Sequence, residues 1–425
     1  MKTQITTLPN KLKIVTSAMP GARSVTVQIL VGAGGRHENF DKEGGVSHIL
    51  EHMLFKGSAK RPTSKEIYQE IDAVGGYTNA YTGNELTAYY IKVPRQNLGL
   101  ALDIMADIIV NPLLEQGEID RERGVIVEEI NWRRHDDSGQ LVGALLPPLL
   151  WPNDPLGQDV IGNEEVIRTI GRRGVLAYQK RFYHPNNMVV SVAGGIKHQQ
   201  VVDMIKSLMG GMTYQEVPKF KPSKPGLSLH KVTVYNKPTA QDNFVIGARA
   251  YPYWHKDDAA LSVLATILGG GSSSRLFLNV RERKGLAYDI GAGRQNFIDT
   301  GLFEVYAAVN SEKTTHAIEA VMEELAIIQQ ELVPDDELSK AKHKLKGGLE
   351  MAMESNGSVA DRFGTQLLLV GKIRSVEQAI AKFERVTSRD VQRVAREILA
   401  PAKLRMAIVA ADGTNAKLKF EEIIK

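Results

Sequence analysis

The 425-residue chain contains no cysteine. That excludes a disulfide framework and any thiolate nucleophile, and it fits a reducing compartment. If the chain holds a metal, the ligands must be His, Asp or Glu. Long hydrophobic runs are also missing. No stretch approaches the roughly 20 apolar residues of a membrane-spanning helix, and the first residues, "MKTQITTLPNKLKIVTSAMP", lack the apolar core of a secretory signal. A soluble cytoplasmic protein is expected. A large excess of charge of either sign is absent too: 53 basic residues stand against 49 acidic ones, a net charge of +4. This balance gives no footing for nucleic acid or an anionic membrane as a partner. What remains is the composition of a soluble globular protein, 43% hydrophobic and 24% charged. It is long enough for two or three domains and needs no covalent staples.

The pattern opens with strands. Residues 11–18 and 24–34 are rich in β-branched side chains with partial alternation. Residues 44–56 and 64–74 read as helices, and 77–82 with 86–93 as a hairpin about Gly83-Asn84. A long helical region from about 95 to 135 is broken near Asn111-Pro112, and 187–194 reads as a short strand. From Met212 to Leu229 the text turns into "MTYQEVPKFKPSKPGLSL", whose prolines and lysines carry no period and mark a linker. Beyond it the strand and helix pattern restarts.

The restart is an internal repeat. Residues 41–54, "DKEGGVSHILEHML", lie over 255–268, "HKDDAALSVLATIL", so that Ile49, Leu50, Met53 and Leu54 match Val263, Leu264, Ile267 and Leu268. Residues 182–194 lie over 397–409 with a nearly equal offset. Two homologous α+β domains are expected, each a mainly antiparallel sheet with helices packed on it. Their bounds are 1–211 and 230–425, joined by the linker 212–229. The copies differ where it matters: His48, Glu51 and His52 match Ser262, Ala265 and Thr266. A polar cluster needed for folding would have reason to persist in both copies, so a buried histidine pair is the weaker reading.

On a helix, His48 and His52 lie at i and i+4, with Cβ atoms about 5–6 Å apart, and can present two neutral imidazoles to one zinc ion. Glu51 stands at the edge of the same face, placed to serve a bound water as general base without being a ligand. This is the H-x-x-E-H order. A catalytic zinc needs a third protein ligand and an open position. In "EIDRERGVIVEEINWRR" (118–134), Glu122 and Glu129 are seven apart and share one helix face, while Glu128 points roughly 100° away. Either of the pair can bind metal. Glu129 is expected as the ligand, and Glu122 as a hydrogen-bonding support for a ligand or the water. Glu128, Arg133 and Arg134 read as a solvated face. The other eight histidines have no partner at ligand spacing. "LGGGSSSR" (268–275) lacks the G-K-[ST] of a phosphate-binding loop and reads as a flexible turn after a helix.

His48, Glu51 and His52, followed by "RERGVIVEEI", resemble the inverted-zincin peptidase family (M16) of pitrilysin, insulin-degrading enzyme and mitochondrial processing peptidase. The interval to Glu129 and the placing of Glu122 seven before it also match. The resemblance runs along the chain through "GGYTNAYTGNELTAYY" (75–90), "DPLGQDVIG" (154–162), "FYHPNNM" (182–188) and "GGGSSSRLFLNVRERKGLAY" (269–288). The short two-domain build is similar to the family's dimeric branch.

The resemblance implies a zinc-dependent endopeptidase with one Zn2+ per chain, held by His48, His52 and Glu129. It implies Glu51 as general base, and Arg281 and Tyr288, seven apart in the second half, as oxyanion-stabilising groups supplied by the partner of a homodimer. The implied substrate is a peptide or unfolded polypeptide segment, added as a strand along Asn79, Ala80 and Tyr81. On residue type alone, Arg281 in "RERK" could be a surface charge, Tyr288 a core residue and Asn79 a turn residue. The competing function is a non-catalytic core or partner subunit, or scaffold. Such subunits usually lack the intact metal triad that this chain has.

Overall fold

The computed structural model describes residues 1–424. Two compact units are present. The first comprises Met1–Ile130, Asp159–Lys221 and Met351–Arg374; the second comprises Asn131–Gln158, Pro222–Glu350 and Ser375–Lys425.

The first unit is built on six strands: β1 (Lys2–Thr7), β2 (Lys13–Ala18), β3 (Ser24–Val31), β4 (Tyr77–Thr82), β5 (Thr87–Pro94) and β6 (Met188–Gly194). They lie in the order β1-β2-β6-β3-β5-β4, and every neighbouring pair is antiparallel except β2 with β6. The second unit has β7 (Val232–Asn236), β8 (Asp242–Ala250), β9 (Ala287–Asn296), β10 (Gly301–Val309) and β11 (Arg405–Ala410), in the order β7-β11-β8-β10-β9. Here only β7 with β11 is parallel. The second order repeats that of β2-β6-β3-β5-β4, strand for strand and direction for direction. The repeat seen in the sequence is therefore a repeat of topology, and the α+β class with mainly antiparallel sheets holds for both units. The strand β1 was not foreseen: Lys2–Thr7 is half exposed and carries one strongly apolar side chain, Ile5, which is itself exposed.

The contiguous bounds 1–211 and 230–425 need correction. Residues 131–158 belong with the second unit and 351–374 with the first. The reason lies in the strands. β3 and β6 are buried almost end to end, so both sheet faces need cover, which also explains why the alternation in the sequence is only partial. One face of the first sheet carries the large core that includes Ile49, Leu50 and Met53. The other carries Val359, Ala360, Phe363 and Leu367 from the helix Asn356–Leu369, set against Val15, Val189 and Ala193. In the second unit, Leu141, Val142, Leu146 and Leu150 cover Val245, Ala407 and Val409 in the same way. Each half of the sequence thus lends a helical segment to the sheet of the other. Burying Phe363 alone stabilises this arrangement by roughly 1.5–3 kcal/mol.

The seat of the Asn356–Leu369 helix is close. Ser191 Oγ donates to Ala360 O at 2.7 Å, and a Cβ on Gly364 would fall 2.5 Å from Leu30 Cδ1 and 3.0 Å from Ser191 Cβ. Gly364→Val is therefore expected to destabilise the protein by about 1–3 kcal/mol through overpacking and to expose 351–374 to early proteolysis. An unchanged melting curve and cleavage pattern would contradict this seating.

Candidate metal centre

The helix Val46–Leu54 carries His48, Glu51 and His52. Its start is fixed by chain geometry. Gly45 has φ +93°, and a Cβ there would meet Gly162 Cα at 2.9 Å and Ile167 Cδ1 at 2.7 Å. A glycine supplies both the left-handed turn and the close approach. The buried Glu38 accepts backbone N–H bonds from Gly45 at 2.7 Å and Ser47 at 2.8 Å, and the Ser47 hydroxyl also donates to it. Burial pushes the Glu38 carboxyl up to about 7, against the opposing pull of these bonds. Ile49, Leu50, Met53 and Leu54 are fully buried, so the polar edge of the helix is held toward the helix Gln116–His135.

The two histidine rings meet edge to face, with centroids 4.7 Å apart. Ligand atoms from His48, His52 and Glu129 all lie within 4.8 Å of one another, the one such group among the described residues. His48 Nε2 is 3.8 Å from Glu129 Oε2. Donors around a tetrahedral zinc with bonds of about 2.0–2.1 Å sit roughly 3.3 Å apart, so a small side-chain adjustment closes this pair on an ion. The donor set, two imidazoles and one carboxylate, is a catalytic-type zinc set.

The tautomer of His52 is also defined. Its Nδ1 lies 3.0 Å from Glu122 Oε2. The carboxylate accepts, so Nδ1 carries the proton and Nε2 is left as the donor to a metal. Glu122 also takes the Lys56 ammonium at 2.6 Å through its other oxygen. Burial opposes its ionisation, but these two hydrogen bonds outweigh that and hold its carboxyl below the usual range. Burial acts to lower the His52 pKa, yet the Glu122 hydrogen bond and the charges of Glu51, Glu122 and Glu129 raise it above the ordinary value. The site is one that favours a cation.

Glu51 stands beside these groups and accepts a hydrogen bond from Thr82 Oγ1 at 2.6 Å. Burial raises its carboxyl pKa, assisted by the Glu129 charge and opposed by Thr82 and His52. Thr82, Lys56 and Glu38 were not among the candidates. Lys56 follows His52 at helical spacing and was readable. Thr82 and Glu38 reach the site only through tertiary structure.

Asn79, Ala80 and Tyr81 lie on β4, the outer strand of the first sheet. Thr82, at the end of this strand, is the residue that holds Glu51. Asn79 Oδ1 accepts from its neighbour Ala80 N at 2.8 Å. Glu128 is exposed, as expected. Arg281 and Tyr288 belong to the second unit and are not part of the His48 group. Arg281 sits in the π-helical segment Phe277–Arg283 with its guanidinium 4.7 Å from the Phe277 ring centroid. Tyr288 is on β9 and is 70% exposed.

The fold and the donor set together define a two-unit α+β protein with an H-x-x-E-H metal-type site. The chain belongs to the M16 peptidase family. The model described as "Insulinase (Peptidase family M16)" matches residues 13–164, and that of the "Peptidase M16 inactive domain" matches 169–345. An "uncharacterized zinc protease" of Streptomyces coelicolor is 34% identical over 93% of this chain and 86% of its own. One of Bacillus subtilis is 31% identical over 96% and 98%. Among solved structures, a protease from Helicobacter pylori shares the fold with a TM-score of 0.90 at 23% identity, over 96% of this chain and 99% of its own. A peptidase M16 inactive domain from Pseudomonas fluorescens shares it at 0.87 and 17%, over 97% and 98%.

If Glu122 fixes His52 as described, Glu122→Gln keeps the fold but weakens zinc binding by about 10–100-fold, as read by competition with a chromophoric chelator. Unchanged affinity would remove Glu122 from the account of the site.

Proposed function

We propose that this chain is a zinc-dependent endopeptidase that cleaves peptides or unfolded polypeptide segments, with one Zn2+ per chain, and works as a homodimer. The observation that carries the reading is the convergence of His48, His52 and Glu129 within 4.8 Å, with Glu51 next to them. Membership of a peptidase family and relatives described as zinc proteases support the same class. No helix among the described residues is long and apolar enough to cross a membrane, and the cysteine-free composition supports a reducing, cytoplasmic setting.

In this reading His48, His52 and Glu129 hold the ion, which when bound supplies a Lewis acid that makes a water acidic near neutral pH. Glu51 takes the proton from the attacking water and returns it to the leaving amine. Thr82 holds one Glu51 oxygen and leaves the other for the water. Glu122 fixes the His52 tautomer. The outer edge of β4 is proposed to take an extended peptide along Asn79, Ala80 and Tyr81, the peptide replacing the Asn79 Oδ1 that Ala80 N–H reaches. Arg281 and Tyr288, a cation and a phenolic donor, are the groups proposed to meet the oxyanion, supplied from the partner chain.

Glu51→Gln is expected to bind zinc as the parent does and to lose roughly 10²–10⁴-fold in turnover of a quenched peptide. Retained turnover would remove Glu51 as the base. The assembly has its own test. Glu51→Gln protein and Arg281→Ala/Tyr288→Ala protein, each inactive alone, are expected to regain activity when their subunits exchange. No recovery with exchange demonstrated would contradict supply from the partner.

A further inference from the structure

The repeat of topology extends to the helices around the metal group. After β3 the chain makes the helix Val46–Leu54, and after β8 it makes Asp258–Gly269. The second long helix after β5 is Gln116–His135, and the second after β10 is Asp335–Ala352. In the first unit this helix pair gathers His48, Glu51, His52, Glu122 and Glu129. In the second unit the corresponding pair, with the turn that follows Gly269, lines an open cleft. Thr266, the counterpart of His52, is on one wall, and Lys340 and Lys344 are on the other. The same place in the fold has exchanged carboxylates and imidazoles for two ammonium groups.

The cleft is equipped for an anion. Ser274 is 6% exposed, lines the cleft, and its buried hydroxyl has no hydrogen-bond partner. A buried hydroxyl left unpaired is costly unless something occupies the space beside it. Lys340 spends one N–H on Ser273 O at 2.9 Å and keeps two. Lys344 lies against the turn: Gly271 has φ +149°, and a Cβ there would fall 2.7 Å from Lys344 Nζ. That backbone conformation favours glycine, and the flexible end of Lys344 rests against the turn it makes. The acidic side chain of the cleft, Glu337, is committed to Arg275 by two bonds of 2.9 and 2.7 Å. No aromatic side chain lines the cleft, so nothing there would stack on a base or a ring.

We propose that this cleft is a binding site for a compact oxyanion, a phosphate or a free peptide carboxylate, held by Lys340, Lys344 and Ser274. Its oxygens accept charge-assisted bonds from the two ammonium groups and the bond that Ser274 lacks. The inference is independent of the reading of the metal centre, since it rests on side chains of the second unit alone.

Calorimetric titration of the full chain at constant ionic strength tests it, with inorganic phosphate and, separately, a short peptide bearing either a free or an amidated C-terminus. Saturable binding at one site per chain is expected for phosphate or for the free-carboxylate peptide. Lys344→Gln and Ser274→Ala should each weaken it by about tenfold, and the exposed Lys417→Gln should leave it unchanged. Preference for phosphate, or for the free over the amidated peptide, identifies the source of the anion. No saturable binding of either, or equal affinity in Lys344→Gln, would overturn the proposal.

Discussion

The hydrogen bond from His52 Nδ1 to the Glu122 carboxylate is the contact on which the geometry of the metal-type site depends. It joins the helix Val46–Leu54 to the helix Gln116–His135, assigns the His52 proton and aims the other ring nitrogen. It works because the apolar side of Val46–Leu54 is buried and the glycine-rich start of that helix admits a single approach to residues 161–167. With the backbone so fixed, three carboxylates face two imidazoles at short range, an arrangement that a divalent cation relieves.

The two units show how one topology carries opposite electrostatics. The strand orders match, and the core positions of the paired helices match, as Leu50 and Leu264 or Met53 and Ile267 illustrate. The copies part on one edge of the same helices, where His48, Glu51 and His52 are half-buried while Ser262 and Ala265 are buried. Ser262, Ala265 and Thr266 make no ligand set, and the helix beside Thr266 brings Lys340 and Lys344, with its Glu337 paired to Arg275. Packing constrains the buried positions in both copies, while the rim is free to take up separate chemistry.

Much of this is legible in the sequence alone. Spacing alone put His48, Glu51 and His52 on one helical edge and Glu122 with Glu129 on one face, because the 3.6-residue period is local. The hairpin of β4 and β5 was legible from its β-branched and aromatic runs about Gly83-Asn84. What was hidden was non-local. The exchange of 131–158 and 351–374 between the sheets depends on which apolar surfaces meet, and an amphipathic helix does not name its partner. Thr82 carries no local mark of its bond to Glu51. "LGGGSSSR" reads as a turn, and is one; its meaning depends on Lys340 and Lys344, distant in sequence.

A metal held by His48, His52 and Glu129 and used with Glu51 is proposed here, and it has a direct assay. It is tested most directly by measuring zinc content and quenched-peptide cleavage on one pure sample, before and after chelation and after zinc is restored. About one zinc per chain is expected, as a single His2Glu group allows, with cleavage lost on chelation and regained with zinc. A folded protein that binds no zinc and cleaves nothing would contradict it, and would make the cluster a polar remnant in a non-catalytic scaffold.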